Sequence, residues 1–457
     1  MRLNQTFCIK RLFFLFVIPT ILVFIFSRYS GIKQQILNFE LFFSAFLLSL
    51  RLTPTITWST FILYATVFLI QVFQFLEYLY GLSLRDTSVH ISAISSWPRT
   101  AYIAFASYLA VLIFVLVLLK QINRRDVLAL PALGIITLFM ISDILLSPSF
   151  IYTKDFIHFP NIIGSPILGE IKKSQLLHGK HELWENQPNS YLAIKNLIDK
   201  HQKDNSTLLI ITLESLGIPN NNSDEYLLES HIKEKLTNYD LIEKFSEKTK
   251  GGTLNGELRL LCGIKNAGNI SHFVDKRNLF DECIPNYVKK LGLASVAVHG
   301  NSGAFYDRNK IYPALGFDDF VSFESIPIFE KNTSCSKVFN AICDSQVTSI
   351  ALDEKRRKNK IPAKIAYVMT IDTHFPLQTI SKEVENGNQN LALNTYYSAV
   401  NKSISEISDS IRASNPSPDY VIIHGDHPPP FLDVSLRSQF KQNEVPVFIF
   451  RKNMLDQ

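Results

Sequence analysis

Four apolar runs in the second half of the chain end alike, and this repeated ending limits the fold more than any other feature. The run at 207–213 hands off to Glu214, and the run at 294–298 to His299. The run at 366–371 leads into Asp372 and His374. The run at 420–423 is followed by His-Gly and then Asp426 and His427. A fifth run, 445–450, closes the series. Between them lie stretches with helical character: a polar one that continues through Lys250, then 285–291 and 395–413. Short β-branched runs separated by helices predict a mostly parallel sheet covered on both faces. In open sheets of that kind ligands bind beyond the carboxyl ends of the strands. Acids and imidazoles are therefore expected to converge along one sheet edge.

The first part of the chain has a different character. Residues 1–147 are dominated by Phe, Leu, Ile and Val, and 457 residues exceed one ordinary core. Apolar stretches at 12–27, 36–50, 55–76, 101–119 and 127–146 are candidate membrane spans, each to be compared with the ~20 residues a spanning helix needs. A cleaved signal peptide would account for the first stretch alone. Lys10 and Arg11, Arg51, and Lys120 with Arg124 and Arg125 fall on one side if the amino terminus is cytoplasmic. Five spans then place the remainder outside the cytoplasm. The expected organisation is a transmembrane domain at 1–147, a juxtamembrane connector at 148–205 and an extracytoplasmic catalytic domain at 206–457. In the connector, Trp184 and Tyr191 are candidates for the lipid headgroup level, and 189–201 for an amphipathic helix. The net charge of +5 is small for this length, and no basic stripe interleaves with aromatics, so nucleic acid is not an expected partner. Cys262, Cys283, Cys335 and Cys343 allow three pairings in an oxidising compartment. Proximity in sequence favours Cys262–Cys283 and Cys335–Cys343. No C-x-x-C pair suggests structural zinc.

A carboxylate beside an imidazole, as in Asp426-His427, suits a divalent metal. Thr253 follows two glycines and opens a helix-like stretch. A helix start favours an anion, and a metal-bound hydroxyl there can attack phosphorus. Read alone, the same threonine is an ordinary helix cap. Ser215, in Leu213-Glu-Ser-Leu-Gly217, is the competing nucleophile, although it lacks the first glycine of a nucleophile elbow. The segment from His299 to Arg308 brings an imidazole, the Tyr306 ring and a guanidinium into one loop, a set suited to a phosphate bearing an organic headgroup.

Taken together, Glu214 after a strand, Thr253 after glycines, His299-Gly with Tyr306-Asp-Arg308, His374-Phe-Pro and Gly425-Asp426-His427 resemble a known family. It is the lipoteichoic acid synthase branch of the alkaline phosphatase and sulfatase superfamily. That branch includes phosphoglycerol transferases and, more distantly, phosphoethanolamine transferases. The resemblance covers the five-span anchor and nearly all of 206–457. It implies one divalent metal, Mn2+ or Zn2+, held by Glu214, Thr253, Asp426 and His427, and a phosphothreonine intermediate at Thr253. It also implies that His299, Asn301, Tyr306, Arg308 and His374 line the headgroup or the leaving alkoxide. Asn301 stands where the lipoteichoic enzymes carry an acid, and Tyr306 where they carry Trp. The stretch 253–264 is more similar to glucan phosphoglycerol transferases of Gram-negative periplasms. The formylglycine signature of true sulfatases is absent around Thr253. The implied activity is transfer of phosphoglycerol from a phospholipid to an envelope glycan or lipid, at the periplasmic face of a bacterial inner membrane. The alternatives are phosphoethanolamine transfer, phosphodiester hydrolysis, and an inactive copy kept for binding or sensing.

Overall fold

The computed structural model describes residues 15–21, 33–34, 38–49, 54–80, 99–121, 161–162, 182–183, 187–202, 204, 206–249, 252–266, 280–327, 331, 339, 341–356, 362–375, 377, 388–431 and 434–453. These fall into two compact units divided between residues 177 and 178.

The amino-terminal unit contains helices α1 (Phe39–Ser49), α2 (Pro54–Tyr80) and α3 (Arg99–Gln121). Asn38 starts α1 by accepting from the Leu41 amide, and its side-chain amide reaches Gln71 of α2. Leu41, Phe42, Ala45 and Leu48 of α1 pack with Tyr64, Val67 and Phe68 of α2 and with Tyr108 and Val111 of α3. The outward faces are apolar as well: Trp58, Ile62 and Ile113 are 59–63% exposed. Among the described residues one helix is long and apolar enough to cross a membrane, at Thr55–Phe73, with Phe105–Phe114 a shorter apolar stretch. The five-span expectation is therefore met at one position. Helix α1 is 11 residues long, well short of the ~20 a span needs. Only 15–21 of the first expected span is described, and the fifth, 127–146, lies outside the described residues.

The second unit is built on a seven-stranded sheet. Its strands in chain order are β1 (Leu208–Leu213), β2 (Tyr239–Lys248), β3 (Ser295–His299), β4 (Asp319–Val321), β5 (Ile365–Met369), β6 (Tyr420–Gly425) and β7 (Glu444–Lys452). The spatial order is β2-β7-β6-β1-β5-β3-β4. Strands β6, β1, β5, β3 and β4 run parallel, and β7 and β2 add an antiparallel edge. The mostly parallel α/β expectation holds.

Successive side chains of a strand leave opposite faces, so each apolar run feeds two cores. Leu209, Ile211, Val421 and Ile423 pack with helices α5 (Asn222–Lys235), α9 (Asp344–Leu352) and α10 (Gln389–Ala413). Leu208, Ile210, Tyr420 and Ile422 pack with α4 (Asn189–Lys200), α6 (Thr253–Cys262), α7 (Ile284–Lys290) and α8 (Arg308–Leu315). Central strands buried on both faces show no polar alternation, which is why they read as continuous runs.

Two expectations change. The stretch through Lys250 is not helical throughout: after α5 it forms the edge strand β2. A bulge opposite Ile449–Phe450 skips Ile242. Tyr239 and Leu241 accordingly face one core and Phe245 the other. That slip, together with solvent on the outer edge, erases the period of two. Tyr191 does not lie at a headgroup level. It is fully buried in the second core, and its hydroxyl donates to the Glu282 carbonyl. Helix α4, which the sequence places at the end of the connector, is thus part of the sheet domain's packing.

Candidate active site

Strand β1 ends at Leu213, and Glu214 follows at the sheet's carboxyl edge. Its amide donates to Thr370 Oγ1 at 2.8 Å, beyond the end of β5. Its carbonyl accepts from Thr373 Oγ1 at 2.6 Å. Ser215 turns the chain with φ of 58°. Its amide donates to Asp426 Oδ1 at 2.8 Å and its hydroxyl to Glu214 Oε1 at 3.0 Å. Both polar groups of Ser215 are thereby used to hold the two acids, which does not suit the nucleophile role weighed for it.

Strand β6 brings in the other pair. Gly425 is needed because a Cβ there would lie 2.1 Å from the Leu216 carbonyl oxygen. The His427 amide donates to Asp426 Oδ1. Its ring Nδ1 lies 2.9 Å from the Pro428 carbonyl. A carbonyl only accepts, so Nδ1 carries the hydrogen and Nε2 faces the site. That nitrogen is 3.3 Å from Glu214 Oε1 and 3.4 Å from Asp426 Oδ2.

Thr253 completes the cluster. It is the first residue of α6, behind Gly252 as cap, and its hydroxyl does not cap its own helix. Thr253 Oγ1 instead lies 3.2 Å from Glu214 Oε2 and 3.5 Å from His427 Nε2. The helix approaches this closely because residue 256 is glycine: a Cβ there would stand 2.7 Å from Asp426 Cβ. Leu254, Leu258 and Leu261 hold the other side of α6 in the core.

The electrostatics follow from two buried acids around one imidazole. Burial pushes Asp426 up to about 7, and the Glu214 charge adds to this. Burial opposes charge on His427, but Asp426 and Glu214 outweigh it and raise its pKa to about 9. Burial also works against ionised Glu214, yet His374 and His427 hold it below the usual carboxylate range. The ligand atoms of Glu214, Asp426 and His427 lie within 4.8 Å of one another, and buried Asp426 Oδ2 accepts no hydrogen bond. Two carboxylates, an imidazole nitrogen and a hydroxyl with an oxygen left over make a donor set that fits a divalent cation.

A second group surrounds Arg308. His299 Nδ1 lies 3.0 Å from the Met369 carbonyl, so Nε2 accepts from Arg308 Nη1 at 3.3 Å. Burial first, then Arg308, keeps His299 well below its ordinary pKa. The Tyr306 ring, at φ of 56°, lies 5.1 Å from the guanidinium carbon. Asn301 is fully buried. Its Oδ1 accepts from the Ser302 amide, and its Nδ2 has no partner. His374 is neutral at pH 7 because burial lowers it more than Glu214 raises it. Its Nδ1 donates to the Phe375 carbonyl. Asp372, at the end of the same run, turns away: its Oδ2 accepts from the Asp344 amide of α9 at 3.1 Å, and its own amide donates to Asp344 Oδ2 at 3.2 Å.

Two buried charges of α6, Glu257 and Arg259, escaped the sequence reading. Arg259 Nη2 donates to the carbonyls of Gly425 and Asp426 at 3.2 and 3.1 Å and contacts His424 Nε2 at 3.0 Å. Its Nη1 donates to Thr249 Oγ1, which itself donates to the Asp426 carbonyl. Arg259 thus clamps the turn that carries Asp426. Glu257 pairs with Arg308. The signal for both was an acid and a base set among the leucines of an amphipathic helix. Cys262 at the end of α6 is joined to Cys283, the cap of α7, as expected. Cys343 is also disulfide-bonded, while Cys335 lies outside the described residues.

The model of the Sulfatase family matches residues 206–454. A putative cyclic beta-1,2-glucan modification protein of Rhizobium meliloti (strain 1021) is 34% identical over 91 residues, covering 19% of this chain and 14% of that relative. The chain thus spans only a small part of that relative's length. Among solved structures, the lipoteichoic acid synthase LtaP of Listeria monocytogenes has a TM-score of 0.41 at 17% identity, over 61% of this chain and 70% of that one. The phosphoglycerol transferase GacH of Streptococcus pyogenes, solved with sn-glycerol-1-phosphate, has a TM-score of 0.36 at 16% identity, over 59% and 77%.

Proposed function

Because this chain belongs to the Sulfatase family, we propose that it is a metal-dependent phosphotransferase, moving a phosphoglycerol headgroup from a phospholipid to an envelope glycan or lipid through a phosphothreonine at Thr253. One observation carries the reading: the Thr253 hydroxyl, at the start of a helix, stands 3.2 Å from Glu214 Oε2 and 3.5 Å from His427 Nε2. Sulfate ester hydrolysis is not favoured, since Asn255 and Glu257 stand where the formylglycine signature has Pro and Arg.

Glu214, Asp426, His427 and Thr253 would hold the cation, Mn2+ or Zn2+, which when bound supplies a Lewis acid and lowers the pKa of a bound hydroxyl. The chain's own groups do the rest. Glu214 fixes the Thr253 rotamer through their hydrogen bond, and Thr253 Oγ attacks the donor phosphorus while the bond to the diacylglycerol oxygen breaks. The proton lost by Thr253 goes to the leaving alkoxide. In the second transfer an acceptor hydroxyl attacks the phosphothreonine, the bond from Thr253 Oγ to phosphorus breaks, and Thr253 regains a proton. Neutral His374, with Nδ1–H spent on the Phe375 carbonyl, presents Nε2 as the base that takes the acceptor's proton and then yields it to the departing Thr253 Oγ. The start of α6 and the outer edge of the Arg308 guanidinium favour the phosphoryl oxygens.

Two observations support a membrane-anchored enzyme with its catalytic domain outside the cytoplasm. The helix at Thr55–Phe73 is apolar and exposes apolar side chains outward. The Cys262–Cys283 disulfide fits an oxidising compartment. Mass spectrometry of the purified full-length protein, incubated with a mixture of phosphatidylglycerol and phosphatidylethanolamine and with Mn2+, tests the reading. A glycerol-phosphate adduct on Thr253, absent in Thr253→Ala, is expected. An ethanolamine-phosphate adduct instead would choose the other headgroup. The complete absence of an adduct and of any acceptor-dependent product would sink the transferase.

A further inference from the structure

Helix α6 carries a second buried polar side chain one turn beyond the nucleophile. Thr253 and Glu257 are four residues apart, so they leave the same face of the helix, about 6 Å apart along its axis. Glu257 is fully buried, and the reaction outlined above makes no use of it. A buried carboxylate is costly unless paired, and this one is paired on both oxygens. Oε1 accepts from Arg308 Nε at 3.2 Å and from Arg308 Nη2. Oε2 accepts from the Tyr312 hydroxyl. Arg308 and Tyr312 are themselves four apart on α8, so one face of α8 grips one carboxylate of α6.

The pairing has two consequences. Arginine commonly grips phosphate with two parallel N–H donors, and here the Nε/Nη2 edge is already occupied. The outer Nη1/Nη2 edge is what remains, with Nη1 directed at His299 Nε2 at 3.3 Å and the Phe305 carbonyl at 3.5 Å. The second consequence is charge: the guanidinium brings no net positive charge to the site, because Glu257 cancels it.

Resting on the proposed reaction at Thr253, we infer that Glu257 is a positioning residue: it keys α8 to the nucleophile helix, leaves Arg308 only its outer Nη1/Nη2 edge for the substrate, and selects a singly charged phosphodiester over a doubly charged monoester. A phosphate monoester carries close to two charges at neutral pH, and a neutral Arg308–Glu257 pair does not compensate the second one. A diester needs no such compensation.

The test uses the full-length protein in detergent micelles at pH 8. Calorimetry measures the affinities of methyl phosphate and dimethyl phosphate for wild type and Glu257→Gln, with thermal unfolding recorded alongside. The glutamine keeps the shape and one acceptor but removes the charge. The ratio of methyl phosphate to dimethyl phosphate affinity is expected to rise roughly tenfold. A merely structural role would lower Tm without moving that ratio, so an unchanged ratio in the folded variant overturns the inference. Tyr312→Phe gives an independent arm, because it releases Oε2 and leaves the charges in place. There the ligand ratio is expected to hold while adduct formation slows several-fold, and an unchanged rate counts against the inference. If wild type forms no adduct but the Glu257→Gln ratio still rises, the transferase reading fails and ligand selection by Glu257 stands.

Discussion

Replacing Gly256 with alanine is expected to reverse the usual sign of that substitution. In an open helix interior the change stabilises by about 0.5–1 kcal/mol, because glycine loses more backbone freedom on folding. Gly256 lies on the face of α6 that abuts the Asp426 turn. A Cβ there would meet Asp426 Cβ at 2.7 Å, its Cα at 2.8 Å and its carbonyl oxygen at 3.0 Å. Two of those atoms are backbone, and Arg259 and Thr249 hold the turn by its carbonyls. Neither side can yield cheaply. Ordinary contact begins at 3.4 Å, so helix and turn must part by about 0.7 Å. Overpacking of this kind costs about 1–3 kcal/mol, leaving a net loss of up to about 2.5 kcal/mol once the helix gain is included. The same separation draws Thr253 away from Asp426 and His427. A misplacement near 1 Å costs on the order of 100-fold in rate. Thermal unfolding of Gly256→Ala and the rate of adduct formation at Thr253 measure the two effects separately. A variant as stable as wild type, reacting at the wild-type rate, would refute the close approach on which the site depends.

Other outcomes follow from the same geometry. Cation binding should stabilise the chelator-treated protein by about 2.7 kcal/mol at one hundred times Kd. Asp426→Asn should remove most of that gain, and a Tm indifferent to every divalent cation would rule out the cation site. Burial raises Asp372 from an ordinary 3.8 to about 6, so the folded state keeps a proton that the unfolded chain has released across that interval. Its contribution is complete below pH 3.8 and is lost as pH rises through 6. Asp372→Asn should therefore be more stable than wild type at pH 7, with the advantage gone near the lower limit. Urea titrations at the two pH values check this, and an advantage that grows on acidification would contradict it. Opening the Cys262–Cys283 link with paired serines should cost about 3 kcal/mol, given its sequence separation of 21. Chemical denaturation of the double variant reads that loss, and a loss below ~1 kcal/mol would mean the unfolded chain is constrained in some other way.

Much of the site could be read from letters because parallel strands bring their ends together. Glu214, His299 and Asp426-His427 each follow an apolar run, and the sheet places those runs side by side. Asp372 follows such a run as well, yet its side chain turns toward α9. Which way a side chain leaves a loop depends on neighbours remote in sequence. Strand β2 was not legible because its bulge moves the apolar positions from one face to the other midway. Glu257 and Arg259 resemble the exposed side of an amphipathic helix. Only packing of α6 between the sheet and α8 shows that both are buried and paired across chain distances of 51 and 165 residues.

Periodicity and composition by themselves determined the central strands, the placing of helices between them, and the apolar character of the amino-terminal helices. Those properties depend on which residues shun water and how often they recur along the chain. Tertiary structure alone decided that Thr253 points at Glu214 rather than capping its helix, that Ser215 braces the acids, and that Arg308 is paired with Glu257. These are matters of distance and direction between groups far apart in the chain, and a linear order of residues carries neither.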